Sequence, residues 1–348
     1  MKQRIQIFDS LRGIACLIVL LAHILASDAV YGAYASGCGK IGVWLFMVMS
    51  GFLSFFPFLS DAHTYKPKWI LGYYKNKFIK LYPAFCIALL FALIIGFISD
   101  FKTFGMSLIF GIGVGHFWYM PVIVQFYFLF PIFVLIFLVI KRNRYSFISF
   151  LLCVGGLISY FFPFVSYKEN SIMLLWYLPV FIMGMILCFG YHWALEKIKP
   201  NIWFDIIATV MVVCIILFTP LCRKLIWHIE PSGWLQNKYL LIGGLWSICI
   251  FGLLFSKKLR YILERIKFLK WLGTISYEVY LIHYVVLWKL LPMIQNTIIR
   301  GILVILLSIG ISCLLHYGLQ YVFNKQYRSL RNQQAEIAAT DEEKENCR

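Results

Sequence analysis

Apolar residues in this chain run in blocks separated by short polar stretches rich in Lys and Arg. A bilayer-spanning helix needs about 17–25 mostly apolar residues. Ten blocks meet that length, at roughly 7–27, 41–59, 78–99, 117–140, 146–164, 171–191, 202–222, 239–255, 271–290 and 297–323. A shorter Gly-rich stretch, 104–114, is followed by polar His116 and reads as a half-helix or re-entrant segment. The pattern predicts an all-α, polytopic integral membrane protein of about ten transmembrane helices. Residues 1–323 form its membrane domain, and 324–348 a polar tail, helical at first and then disordered towards Asp341-Glu342-Glu343. The first block lacks a small-x-small cleavage site, so it is kept as a helix of the mature protein.

Composition agrees with lipid as the main solvent. Of 348 residues, 61% are hydrophobic and 14% charged, against about 45–50% and about 25% in soluble domains. Mean hydropathy is +0.81, which leaves too little polar surface to cover a water-soluble globule of this size. The net charge of +17 comes mostly from Lys and Arg between apolar blocks. That placement suits anionic lipid headgroups and excludes nucleic-acid binding as the reading. With the N-terminus in the cytoplasm, alternate loops and both ends hold 23 of the 32 Lys and Arg, and the opposite side holds eight. Such a bias orients both termini to the cytoplasm. The loop carrying Arg223, Lys224 and Lys238 conforms least. The ten Cys show no C-x-x-C pair or zinc spacing and read as small buried hydrophobes. Cys38 and Cys222 fall near one membrane surface, where pairing is open.

Three polar constellations interrupt the apolar blocks. Arg12 and His23 stand 11 residues apart, so they share one helix face, about 16 Å apart along the axis. Asp9 lies one turn before Arg12, within i,i+3 reach. Ionisable residues inside a bilayer are functional candidates unless they snorkel to the interface, and both readings are open for this pair. The second constellation is Ile275-Ser-Tyr-Glu-Val-Tyr-Leu-Ile-His283. Its Ser276, Glu278, Tyr280 and His283 need partners in the bundle or a wet cavity, and interhelical bonding alone would satisfy them. The third is Gly115-His-Phe-Trp-Tyr-Met-Pro121 with Tyr127. Trp118 and Tyr119 read either as site residues or as interfacial belt aromatics.

These segments together resemble acyltransferase family 3. Phe8-Asp-Ser-Leu-Arg-Gly-Ile-Ala15 with His23 is similar to the family's opening, an Arg, ten residues, then a His. Gly42-Val-Trp-Leu-Phe46 with Ser50-Gly-Phe52, the His116–Pro121 segment with Tyr127 and Pro131, and the 275–283 segment resemble its second, fourth and ninth helices. The likeness runs in order over essentially the whole chain. One departure is clear: where the family carries two arginines three apart before an aromatic-Pro pair, this chain has Lys77-Phe-Ile-Lys80-Leu-Tyr82-Pro83. Lysine keeps the charge but lacks the planar bidentate fork of Arg.

The resemblance implies transfer of an acyl group, commonly acetyl from acetyl-CoA, to a hydroxyl of an extracytoplasmic glycan or lipid-linked sugar. It places the protein, multi-pass, in a bacterial plasma membrane with membrane lipid around it. No permanently bound cofactor or metal is expected, and a partner in glycan assembly is possible. A sugar hydroxyl needs a general base in reach, a task imidazole suits. His23 is therefore assigned as base, with acyl carrier as the alternative, and Arg12 as donor support. Asp9, Lys77, Lys80, Trp118, Tyr127, Ser276, Glu278, Tyr280 and His283 are candidates for substrate or donor binding. Some family members add an esterase-like domain; with none after residue 323, the membrane part is expected to do the whole transfer or hand over to a partner. The rival readings are a transporter or flippase of a polysaccharide intermediate and a non-catalytic scaffold. Against transport, neither an inverted repeat nor matching broken helices are visible.

Overall fold

A computed structural model describes residues 5–30, 32–59, 68–140, 142–168, 170–228 and 235–346. Every long element among them is helical. In chain order they are α1 (Ile7–Ala26), α2 (Gly32–Ala35), α3 (Gly39–Leu59), α4 (Lys68–Ile95) and α5 (Phe101–Leu108). A 3-10 turn, Gly115–Trp118, leads into α6 (Tyr119–Val139), then α7 (Arg144–Phe161), α8 (Leu174–Ala194), α9 (Ile202–Leu217) and α10 (Pro220–Trp227). The chain continues through α11 (Tyr239–Leu254), α12 (Leu259–Arg265), α13 (Lys267–Leu290) and α14 (Thr297–Asn346). The backbone of α14 thus carries on helically through most of the polar 324–348 segment.

Seven of these helices are long and apolar enough to cross a membrane, or eight if the bent pair α9–α10 counts as one span. The chain is a multi-pass helical membrane protein, and the ten expected spans correspond to seven or eight by length and apolarity. The difference lies in α11, which has only 16 residues, and in α13, whose apolar run is diluted by Lys267, Lys270, Ser276 and Glu278. The expected span 202–222 does not run straight. Helix α9 ends at Leu217, and α10 departs from it at 79°. Thr219 caps the new helix through its hydroxyl, with Pro220 in its first turn. Proline suits a helix start, where its missing N–H is not needed. The stretch 104–114 overlaps the eight-residue helix α5. Asp100 accepts from the Thr103 amide at 2.7 Å to start that helix, and this bond holds its carboxyl below the usual carboxylate range. Helix α4 begins ten residues before the expected 78, so Lys75 and Lys77 stand on a helix rather than in a loop. Lys2, Arg4, Lys66, Lys141 and Arg348 of the charge count lie outside the described residues.

Helix α1 packs against α13 and α3, α3 against α8, and α11 against α9 and α8. Helices α1, α3 and α8 are mostly buried, while α4, α7 and α14 turn residues such as Ile94, Leu152 and Leu314 outward. An apolar outer face is what a helix facing lipid requires. Small residues let the inner helices touch. A Cβ on Gly51 would run into the Phe181 carbonyl, and one on Gly184 into that of Val48, so α3 and α8 meet backbone to backbone. Next to this seam Phe55 packs on Phe130, Phe137, Phe147 and Phe189, tying α3 to α6, α7 and α8.

Two buried ionic groups close the ends of elements. The Asp205 carboxylate accepts from the Ser256 hydroxyl at 2.5 Å and from the Lys257, Lys258 and Leu259 amides at 3.1, 3.1 and 2.7 Å. It thereby caps α12 from a helix about 50 residues away in sequence, where orphan amides need an acceptor. Arg300 donates to the Ile294 carbonyl at 2.7 Å and to the Ser27 carbonyl and hydroxyl at 3.0 and 3.1 Å. Its guanidinium joins the start of α14 to the end of α1. Among the described residues Cys38 and Cys222 are both free thiols.

Candidate functional site

The site grows from the contact between α1 and α13. A Cβ on Gly13 would strike the Leu269 carbonyl, and one on Gly273 the Asp9 carbonyl. Ser10 donates to the Leu263 carbonyl at 2.7 Å, which ties α1 to the preceding helix α12 as well. The helices run side by side in the same direction, so Asp9 meets Gly273 at one end and His23 meets His283 at the other.

Three histidines gather at that second end. His283 Nε2 lies 3.0 Å from His23 Nδ1. His283 Nδ1 lies 3.0 and 2.9 Å from the carbonyls of Val279 and Tyr280. Carbonyls only accept, so Nδ1 of His283 carries the proton and, in the neutral ring, Nε2 is an acceptor. His23 must then donate from Nδ1, which leaves its own Nε2 as a bare lone pair. That edge of His23 faces the start of α3, where a Cβ on Gly39 would come within 3.3 Å of Cε1 and 3.6 Å of Nε2. His116, in the turn before α6, donates from Nε2 to the Leu281 carbonyl at 2.9 Å, and its buried Nδ1 has no hydrogen-bond partner. Its ring lies 5.3 Å from those of His283 and Tyr284, and Tyr284 also packs edge-on to His23 at 5.0 Å. No group of three or more His, Cys, Asp or Glu among the described residues is arranged to hold a metal ion.

Below the histidines a cleft of about 730 Å³ opens between α1, α3, α4, α6, α13 and α14. Arg12 lines it and pairs with Asp9 at 3.1 Å, within the reach the spacing suggested. Asp9 is nearly enclosed, while the Arg12 side chain remains 39% exposed. Lys77 and Lys80 enter from α4. The Lys77 ammonium sits 3.6 Å above the ring of Tyr127, which holds the cation at the wall. Ser276, Glu278 and Tyr280 line the cleft from α13. The Ser276 hydroxyl is already bonded to the Gly273 carbonyl at 2.9 Å. Glu278 accepts from His316 Nδ1 at 2.8 Å, and Gln320 donates to the other nitrogen of that ring at 2.9 Å. Tyr280 borders both regions: it lines the cleft, and its hydroxyl donates to the His116 carbonyl.

Most of the sequence candidates therefore converge on one space. Trp118 stands apart, buried against Tyr177 with ring centres 5.2 Å apart and absent from the cleft wall. His23 and His283 lie beyond the cleft's end rather than on its wall. Sequence reasoning missed three residues. His116 lies in the Gly115–Pro121 motif, where its polarity inside an aromatic run was the available signal. His316 and Gln320 show an i,i+4 spacing on α14, but nothing in the sequence points that face at Glu278.

Comparison with known proteins bears on this geometry. The peptidoglycan O-acetyltransferase OatA of Listeria monocytogenes serovar 1/2a (strain ATCC BAA-679 / EGD-e) is 22% identical over 334 residues, a match covering 83% of this chain and 50% of OatA. The chain thus spans half the length of that curated relative. No solved structure matches it. The family model of acyltransferase family 3, described as an acyltransferase domain, matches residues 5–317 and so takes in the histidine cluster and the cleft from Asp9 to His316. On the extent of that match, the chain belongs to acyltransferase family 3.

Proposed function

We propose that this protein is a membrane O-acyltransferase moving an acyl group, acetyl from acetyl-CoA, to a hydroxyl of an extracytoplasmic or lipid-linked glycan. The observation that carries the reading is the bare Nε2 of His23, left unprotonated by the bond from its Nδ1 to His283. A base of this kind can take the proton of a sugar hydroxyl as its oxygen attacks the thioester carbonyl. The bond between acceptor oxygen and acyl carbon forms, the carbon–sulfur bond breaks, and the proton on His23 passes to the departing thiolate. Arg12 holds an anionic part of the donor or supports the charge developing at the thioester oxygen. Lys77 and Lys80 receive donor phosphates as point charges, without the bidentate grip of Arg.

Topology fits the reading. We place both termini in a bacterial cytoplasm on the charge bias of the loops. Arg12 then lies about 8 Å into α1 from its cytoplasmic start and His23 about 24 Å in. A donor entering the cleft from the cytoplasm points its acyl end toward a base nearer the outer face. The named action of OatA on peptidoglycan favours a cell-envelope glycan as acceptor.

The test is incubation of membranes containing the protein with labelled acetyl-CoA and envelope glycan. Label in the glycan is the expected result. Movement of glycan across the membrane with no label transferred would favour the transporter reading and defeat this one.

A further inference from the structure

We infer that His283 is a positioning residue for the transfer, accepting the Nδ1–H of His23 and sharing the positive charge that arises on His23 as it takes the acceptor's proton. This rests on His23 being the base. The geometry supplies three supports. First, His283 is 1% exposed, so its ring is held by protein on all sides. Second, both carbonyls at its Nδ1, from Val279 and Tyr280 at 3.0 and 2.9 Å, demand a proton there. A flipped ring would lose both bonds, so Nε2 stays turned to His23 as an acceptor. Third, the 3.0 Å separation is that of a good hydrogen bond.

The consequence is chemical rather than merely cohesive. In the resting pair His23 has one tautomer available, with Nδ1 protonated and Nε2 ready to receive. When Nε2 takes the hydroxyl proton, the ring becomes an imidazolium, and its Nδ1–H leans on the lone pair of His283. The Nδ1 proton can pass to His283 Nε2 and return, so the pair holds the one proton taken from the acceptor until His23 Nε2 gives it to the departing thiolate. A neutral histidine thus stands where many acid–base sites place a carboxylate behind the imidazole. A carboxylate at this depth would be an uncompensated charge, which the surrounding apolar helices disfavour.

The test measures labelled acetyl transfer by the full-length protein in membranes for wild type, His283→Leu, His283→Gln and His23→Ala, with thermal midpoints in detergent as a check on folding. Glutamine offers a carbonyl oxygen to the His23 Nδ1–H but cannot take the proton. For His283→Leu, kcat is expected to fall on the order of 10²-fold, with KM for the donor within about twofold. For His283→Gln the loss should shrink to about tenfold. A purely structural contact would show in the midpoint and leave Leu and Gln equally slow; that pattern, or a wild-type rate for His283→Leu, overturns the inference. If His283→Leu does not assemble, His283→Gln decides alone: a tenfold loss at unchanged KM supports the role, and a wild-type rate refutes it. The base reading is judged separately. A wild-type rate for His23→Ala removes that reading and this one with it, whereas a dead His23→Ala beside a fully active His283→Leu removes this one alone.

Discussion

Replacing Gly273 with Ala tests whether backbone contact between α1 and α13 sets the geometry of the site. The added Cβ would overlap the Asp9 carbonyl oxygen, lie 2.8 Å from that carbonyl's carbon and 3.3 Å from the Gly13 amide nitrogen. Carbon and carbonyl oxygen meet at about 3.3–3.6 Å even in the close contacts between helices, so the helices must part by on the order of 1 Å. None of the three atoms belongs to a side chain that can rotate away. Overpacking of this sort costs about 1–3 kcal/mol in stability. The larger effect falls on chemistry. The His23–His283 bond is 3.0 Å long, and parting the helices there by roughly 0.5 Å would put it beyond hydrogen-bonding range. A displacement of about 1 Å from a productive arrangement can lower a rate on the order of 10²-fold. The assay is labelled acetyl transfer beside the thermal midpoint in detergent, with Gly190→Ala as control because a Cβ there meets nothing within 4 Å. Gly273→Ala should lose at least tenfold in rate and show a lower midpoint, with Gly190→Ala unaffected in both. A Gly273→Ala protein as active and as stable as wild type would refute the reasoning.

Arg12→Lys should raise KM for the donor about tenfold or lower kcat by a similar factor, because charge alone does not replace a planar fork; initial-rate kinetics read it. Asp205→Ala removes the acceptor of three backbone amides and the Ser256 hydroxyl, and should destabilise the protein by about 2 kcal/mol. The midpoint should fall while the rate per folded molecule changes little. Arg300→Lys cannot bridge the Ile294 and Ser27 carbonyls at once, as the guanidinium does at 2.7 and 3.0 Å. The expected loss is about 1.5–3 kcal/mol, seen as a lower midpoint in thermal unfolding.

The legible parts of this protein were those written in local periodicity. Apolar run length marked the helices, and the helical repeat alone placed Asp9 beside Arg12 and His23 on the same face. Where charge and helix coincide, run length misleads. Lys75 and Lys77 read as a loop before the expected span at 78, yet both stand on α4, with Lys77 held over the Tyr127 ring. The break between α9 and α10 carried its signal in Thr219-Pro220, but a window of average hydropathy passes over it. Contacts between distant helices were not legible at all. His23 and His283 are 260 residues apart, Glu278 and His316 are 38 apart, and neither pairing follows until the packing of α13 is known. The glycines that permit that packing look, in sequence, like any others in an apolar run.

The account depends most directly on His23 as the base. The measurement is acetyl transfer from labelled acetyl-CoA to envelope glycan in membranes holding equal amounts of wild-type protein and the His23→Ala variant. The account predicts label in the glycan with wild type and none above background with His23→Ala, at undiminished protein level. Full transfer by His23→Ala would contradict it.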